Sequence, residues 1–206
     1  NEVSSLKEEV VLLQRQIVAR DETIGKLESR LDDMEQYQRR NNIRITGIPE
    51  ESGESTDSIV LELAKAIGCN VEGYCIDRSH RLGPKNVSSS PRPILVKFVS
   101  YATKSQLMRS RRNLRDKSGP DVLPSLNWLP ERGPGGGGEG RGRGTKNKVF
   151  LNDDLTSVRA KIAAEARGKK KSKAIEDTWV RDGVVFVKSN DTVHRILTMR
   201  QLNAFA

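Results

Sequence analysis

The chain has 206 residues, is 35% hydrophobic and only 4% aromatic, and carries a net charge of +9. That leaves room for one or two compact domains with small cores beside a helix, and no apolar run approaches the ~20 residues of a membrane helix. The charge is uneven, −4 over residues 1–38, +9 over 39–148 and +4 over 149–206, which points to basic modules that meet a polyanion.

The first predicted element is a rod. With Val3 as heptad position a, the a series is Val3, Val10, Ile17, Ile24 and Leu31, and the d series is Leu6, Leu13, Arg20, Leu27 and Met34. One core slot is polar, there is no proline, and the single glycine, Gly25, falls on an outer face. A 3.5-residue repeat over five heptads predicts a coiled coil across residues 1–38. Pairing of g with the following e sets Glu2 against Lys7 and Arg30 against Glu35, with no like-charge pair, so a parallel coil is expected. β-Branched residues at a with leucine at d favour two strands. "RLDDME", with Arg30 and Glu35 flanking Leu31 and Met34, resembles the signature of parallel three-stranded coils. Removing residues 1–36 is expected to leave folded monomers that bind their ligand weakly.

A basic neck follows at Arg39 and Arg40. Asn41 and Asn42 either contact a ligand or terminate the helix. "IRITGI" then alternates with period two and predicts a strand. "STDSIVLELAKAIG" predicts a helix with Ile59, Leu63 and Ile67 on one face. "YCIDRSHRLG" and "PRPILVKFVS" predict two more strands, "YATKSQLMRSRRNLR" a basic helix and "KVFLND" a short strand. The order βαββαβ over residues 39–153 predicts a ferredoxin-like sandwich of the type used by RNA-recognition motifs. Alternation buries Ile43, Ile45, Ile94, Val96 and Phe98 and leaves Arg44 and Lys97 outside. Those two stand where RNA-recognition motifs carry stacking aromatics, so contacts to phosphate are expected rather than base reading. From Lys117 to about residue 146 the pattern dissolves into a Gly-rich insert, with Trp128 and Leu129 short of partners for a core.

The last segment, 154–206, predicts a small αββα unit. A helix opens at the Thr156 cap and carries Arg159, Lys161 and Arg167. A hairpin turns at "RDG", and a second helix begins at an Asp191 cap with Val193, Ile196, Leu197 and Leu202 as its apolar stripe. The predicted fold class is therefore α+β: a parallel coiled coil, an RRM-like module and an αββα C-terminal domain.

Cys69 and Cys75 point to a reducing compartment rather than a disulfide framework. With His80 they make C-x5-C-x4-H without a fourth ligand, and no metal or cofactor is expected. No Ser–His–Asp spacing and no P-loop ending stand out, so no catalytic residues are assigned and no enzyme is expected. Neither a membrane nor a small-molecule substrate is an expected partner. Because the chain opens on Asn1 rather than Met, it is expected to be a fragment, with an upstream targeting signal left open.

"RRNNIRITGIPE", "SHRLG", "RPILVKF" and "KVFLNDDLT" together resemble the first-open-reading-frame proteins of LINE-type non-LTR retrotransposons (transposase 22-like). The block from "VFLNDDLT" to "GVVFVK" is also similar to the C-terminal domain of baculoviral FP proteins. The resemblance covers nearly the whole chain apart from the Gly-rich insert, which departs from the family's short loop. It implies a coiled-coil homotrimer that binds single-stranded RNA cooperatively and with little sequence dependence, with single-stranded DNA left open. It further implies nucleic-acid chaperone activity and packaging of the element's transcript into cytoplasmic ribonucleoprotein particles, with the nucleus as a further place. The expected RNA track runs from Arg39 and Arg40 through Arg109, Arg111, Arg112 and Arg115 to Arg159, Lys161 and Arg167, beside Arg44 and Lys97 on the sheet. A coiled-coil scaffold whose basic modules bind acidic proteins is the alternative.

Overall fold

The computed structural model describes residues 2–85, 90–128 and 147–205. A helix α1 (Glu2–Gln38) passes through a short 3-10 turn (Arg39–Asn41) into strand β1 (Asn42–Thr46). Next come α2 (Thr56–Ala66), β2 (Ile76–Arg81), β3 (Ile94–Phe98) and α3 (Tyr101–Ser110). A 3-10 turn (Arg111–Leu114), a one-turn helix α4 (Gly119–Val122) and β4 (Phe150–Asp153) follow. The chain ends with α5 (Ser157–Lys171), β5 (Asp177–Arg181), β6 (Val184–Ser189), β7 (Thr192–Ile196) and α6 (Met199–Asn203).

The first four strands form one antiparallel sheet in the order β2-β3-β1-β4. Alternation decides its faces, because successive strand residues point to opposite sides. Ile43, Ile45, Ile94, Val96 and Phe98 are fully buried on the inner side. There they pack with Ile59, Val60, Leu63 and Ala64 of α2 and Leu107 of α3, so both helices cover one face. Ser55 and Ser100 cap the two helices by accepting the amides of Ser58 and Thr103. Gly47 ends β1 at φ +90, and a Cβ there would stand 2.0 Å from the Lys148 carbonyl oxygen, so glycine is required for close approach of the chain before β4. Arg81, in the "SHRLG" string, holds the adjoining loops together. It pairs with Glu54 at 2.7 Å and donates to the carbonyls of Ile48 and Pro49, in "GIPE", and of Arg92.

The segment after α3 is more ordered than the sequence suggests. Val122 and Leu123 are buried in the first core, and Trp128 packs beside them with its indole donating to the Leu123 carbonyl at 2.8 Å. Trp128 therefore does have core partners, contrary to expectation, because the turn at α4 folds residues 118–128 back onto the module. Leu129 and the Gly-rich stretch to residue 146 lie outside the described residues.

The C-terminal module is a three-stranded antiparallel sheet, β5-β6-β7, backed by α5. Thr156 caps α5 by accepting the Arg159 amide, and "RDG" makes a two-residue turn with positive φ at Asp182 and Gly183. The expected helix from Asp191 is corrected. Asn190 and Asp191 both take positive φ and make a second two-residue turn, after which Thr192–Ile196 pairs with β6 as a strand. Only Met199–Asn203 is helical. The apolar set fits either period over so short a run, and pairing with the free edge of β6 decides it. Ile196 and Leu202 enter the core, whereas Val193 and Leu197 stay exposed.

Candidate functional site

The rod and the two modules meet at the neck. Asp154, almost fully buried, accepts from Arg39 at 3.2 Å, Arg44 at 3.2 Å and Asn42 at 3.1 Å, while its own carbonyl accepts from Gln36 at 2.9 Å. Arg39 also pairs with Glu35 at 2.6 Å. Asn41 reaches the Val99 carbonyl at 3.4 Å. The two asparagines tie the neck to the first module, where the helix gives way to β1. Arg40 lies outside this cluster, its guanidinium 4.0 Å from the centre of the Tyr37 ring.

Arg159 is the clearest departure from the expected track. It is buried, and it pairs through Nε with Asp32 at 2.7 Å and through Nη2 with Asp33 at 2.5 Å. Its Nη1 donates to the Gly183 carbonyl at 3.0 Å. It joins the rod to the C-terminal module and is not open to a ligand. The spacing on α5 alone could not show this, because its carboxylate partners lie more than 120 residues away.

The other expected cations sit in different surroundings. Lys97 pairs with Asp77 at 2.9 Å on the outer face of the sheet. That pairing, chiefly through its hydrogen bond, holds the Asp77 carboxyl below its ordinary range. Arg109 is exposed and folds back on Ser105. Lys161 is exposed on α5. Arg111, Arg112 and Arg115 are exposed and make no ion pair with any described residue.

A cleft of about 1050 Å³ opens between the modules and brings several of these together. Arg111, Arg112 and Arg115 line it from the turn after α3, Arg44 and Lys148 from the first sheet and its approach, and Arg167 from α5. A second recess of about 550 Å³ shares Arg111 and Arg112 and continues past Arg109 to the turn at Asp182. Lys148 had no place in the expected track. Its position just before β4 is the signal that could have found it.

One ion-pair group, joined by a tyrosine hydroxyl, ties α3 to β4 and to the C-terminal module. Lys104, buried on α3, pairs with Asp153 at 2.5 Å and with Asp182 of the C-terminal module at 3.4 Å. The Tyr101 hydroxyl donates to Asp182 at 2.8 Å, and that bond, ahead of burial, raises the Tyr101 pKa. Asp153, the last residue of β4, and Asp154 after it are the acidic centres of the junction.

The rod presents a different surface. All nine apolar a and d residues, from Val3 to Met34, are exposed on the single chain. Arg30 has no ion pair with a described residue, while Glu35 is engaged by Arg39. Asp32, Asp33 and Gln36, which hold the C-terminal module, fall at b, c and f. Docking of the module therefore leaves the a/d stripe uncovered.

Cys69 is buried, and burial pushes its thiol pKa up. Among the described residues no three His, Cys, Asp or Glu side chains are placed to share a metal ion. No family model matches the chain, and no curated protein shows significant similarity to it.

Proposed function

We propose that the protein binds single-stranded RNA as part of a LINE-type retrotransposon, acting as a nucleic-acid chaperone that self-associates through its rod and packages transcript into a ribonucleoprotein particle. In this reading α1 is one strand of a parallel coiled-coil homotrimer. The first module is a ferredoxin-like RNA-recognition motif, and the C-terminal module closes over the RNA. The observation that carries it is the cleft between the modules, lined by six cationic side chains of which Arg111, Arg112 and Arg115 have no carboxylate partner among the described residues. Such a groove attracts a phosphate backbone without selecting bases. The strand order with both helices on one face supports the module assignment. The uncovered heptad stripe supports self-association.

The test is titration of the full chain with fluorescent single-stranded RNA at several salt concentrations. Arg111→Ala/Arg112→Ala/Arg115→Ala should lower affinity and flatten the plot of log K against log salt by about 2, at roughly 0.7 for each phosphate left without its arginine. A wild-type protein that purifies without nucleic acid, ignores RNA at physiological salt and captures acidic proteins would overturn the reading in favour of a scaffold.

A further inference from the structure

Trp179 stands out among the few aromatic residues of the chain. It lies on β5, an edge strand, and lines both the cleft and its continuing recess. Its ring stacks on Phe186 of β6, with centroids 5.7 Å apart and planes 12° from parallel. Register places Phe186 between Trp179 and Arg195 of β7, so one cross-strand row reads Trp, Phe, Arg. The core side of this sheet is the set Val185, Val187 and Ile196, and the aromatic row belongs to the opposite side. Trp179 nonetheless remains 36% exposed, and Phe150, on the edge strand of the other sheet and also lining the cleft, is 46% exposed. A large apolar ring left half-open between arginines carries a hydration penalty that a flat, apolar ligand face would relieve.

We infer that Trp179, braced by Phe186, is a stacking platform for an unpaired nucleobase, flanked by Arg111 and Arg112 for the adjoining phosphates. This rests on the proposed RNA binding and adds a component that phosphate neutralisation alone lacks. Stacking on Phe186 fixes the indole before the ligand arrives, so little side-chain freedom is lost on binding. The platform accepts any base, because every base has a π face, and purines gain most from their larger area. The aromatic contribution missing from the central strands of the first sheet is thus supplied from the other module, on the far side of the cleft. Periodicity in the first module cannot reveal it.

The experiment compares binding of the full chain to single-stranded oligoadenylate and to inorganic polyphosphate, which has charge but no bases. Trp179→Ala should weaken oligoadenylate binding on the order of tenfold at every salt concentration, with the salt slope unchanged. Polyphosphate binding should be unaffected, and Trp179→Phe should restore most of the loss. A second measurement leaves the platform intact. In a Trp128→Phe background, Trp179 is the sole tryptophan, and its fluorescence should be quenched by oligoadenylate but not by polyphosphate. Equal losses for both ligands, unchanged RNA affinity, or absence of quenching would each overturn the platform. A wild-type chain that binds polyphosphate and RNA alike leaves phosphate binding standing and removes base stacking. Failure of the wild-type chain to bind either polyanion removes the proposed function itself.

Discussion

Arg159, Arg39 and Arg112 are chemically identical, and their surroundings give them three roles. Arg159 is buried with two carboxylates and a carbonyl on its fork. Arg159→Ala removes that junction and leaves the largely buried Asp32 without its partner, so it should lower the urea midpoint. Arg159→Lys should recover only part, since one ammonium cannot reproduce the planar fork. Arg112 is exposed without a carboxylate partner among the described residues, so Arg112→Ala should change stability by no more than about 0.5 kcal/mol while weakening RNA binding. Arg39 lies between these cases, because its removal frees Asp154 and Glu35 as well as any phosphate it holds. A change confined to Arg40 is the cleaner probe of the neck. Gly183 adds a backbone constraint. Its φ is +73, and a Cβ would sit 2.6 Å from the buried Gln36 side chain, so Gly183→Ala should loosen the rod from the C-terminal module. Tyr101 responds to pH. Its raised pKa means that the protonated hydroxyl is favoured by the fold. The stabilisation is therefore complete below the ordinary tyrosine value near 10 and is lost as pH rises through the higher folded value. Tyr101→Phe should abolish that alkaline dependence of thermal stability.

The rod presents two distinct faces. Its a/d stripe is exposed over its length, while its last two turns dock the C-terminal module through Asp32, Asp33 and Gln36 on the outer side. Removal of residues 1–36 would take the partners of Arg159 and Thr156 away with the rod, so the monomer expected of that truncation should be less stable than the full chain. Removal of residues 1–28 keeps the docking residues. The shorter truncation should unfold at the wild-type urea midpoint and sediment as a monomer, and the longer one should unfold at a lower urea concentration. The same split explains what the sequence made legible. α1, α2, β1 and β3 were readable because each follows a local period of 3.5, 3.6 or 2. β7 was not, because Thr192–Ile196 has no decisive period and is fixed by pairing with β6. The junction was not readable either, since Asp32, Asp154 and Arg159 are local surface charges until chain segments more than 100 residues apart are brought together. The cleft was half legible. Its arginines stand out as runs, but Lys148, Phe150 and Trp179 acquire meaning only when the edges of the two sheets face one another.

At the scale of the whole molecule, the proposed reading makes each cleft a modest site that the rod would multiply. A cleft of this size accommodates a few nucleotides, and a cationic groove on its own binds weakly at physiological salt. Several clefts held on one axis, as proposed, would convert later encounters with the same RNA into intramolecular ones, with avidity gains on the order of 10²–10⁴ when the strand is long enough to span them. This gain can be separated from the chemistry of the site by placing charges in the seam. Leu13→Asp/Leu27→Asp puts two carboxylates at d positions, away from the b, c and f residues that dock the C-terminal module. The variant should sediment as a monomer where the wild type is expected to sediment as a trimer, and both modules should keep their urea midpoint. Its affinity for an oligonucleotide short enough to fill one cleft should match wild type, with the same salt slope. Its affinity for a long single strand should fall by two orders of magnitude or more. A wild-type dimer would mean that β-branched residues at a outweigh the Arg30–Glu35 pairing in setting strand number. Equal affinity of monomer and oligomer for long RNA would show that the rod organises something other than RNA binding.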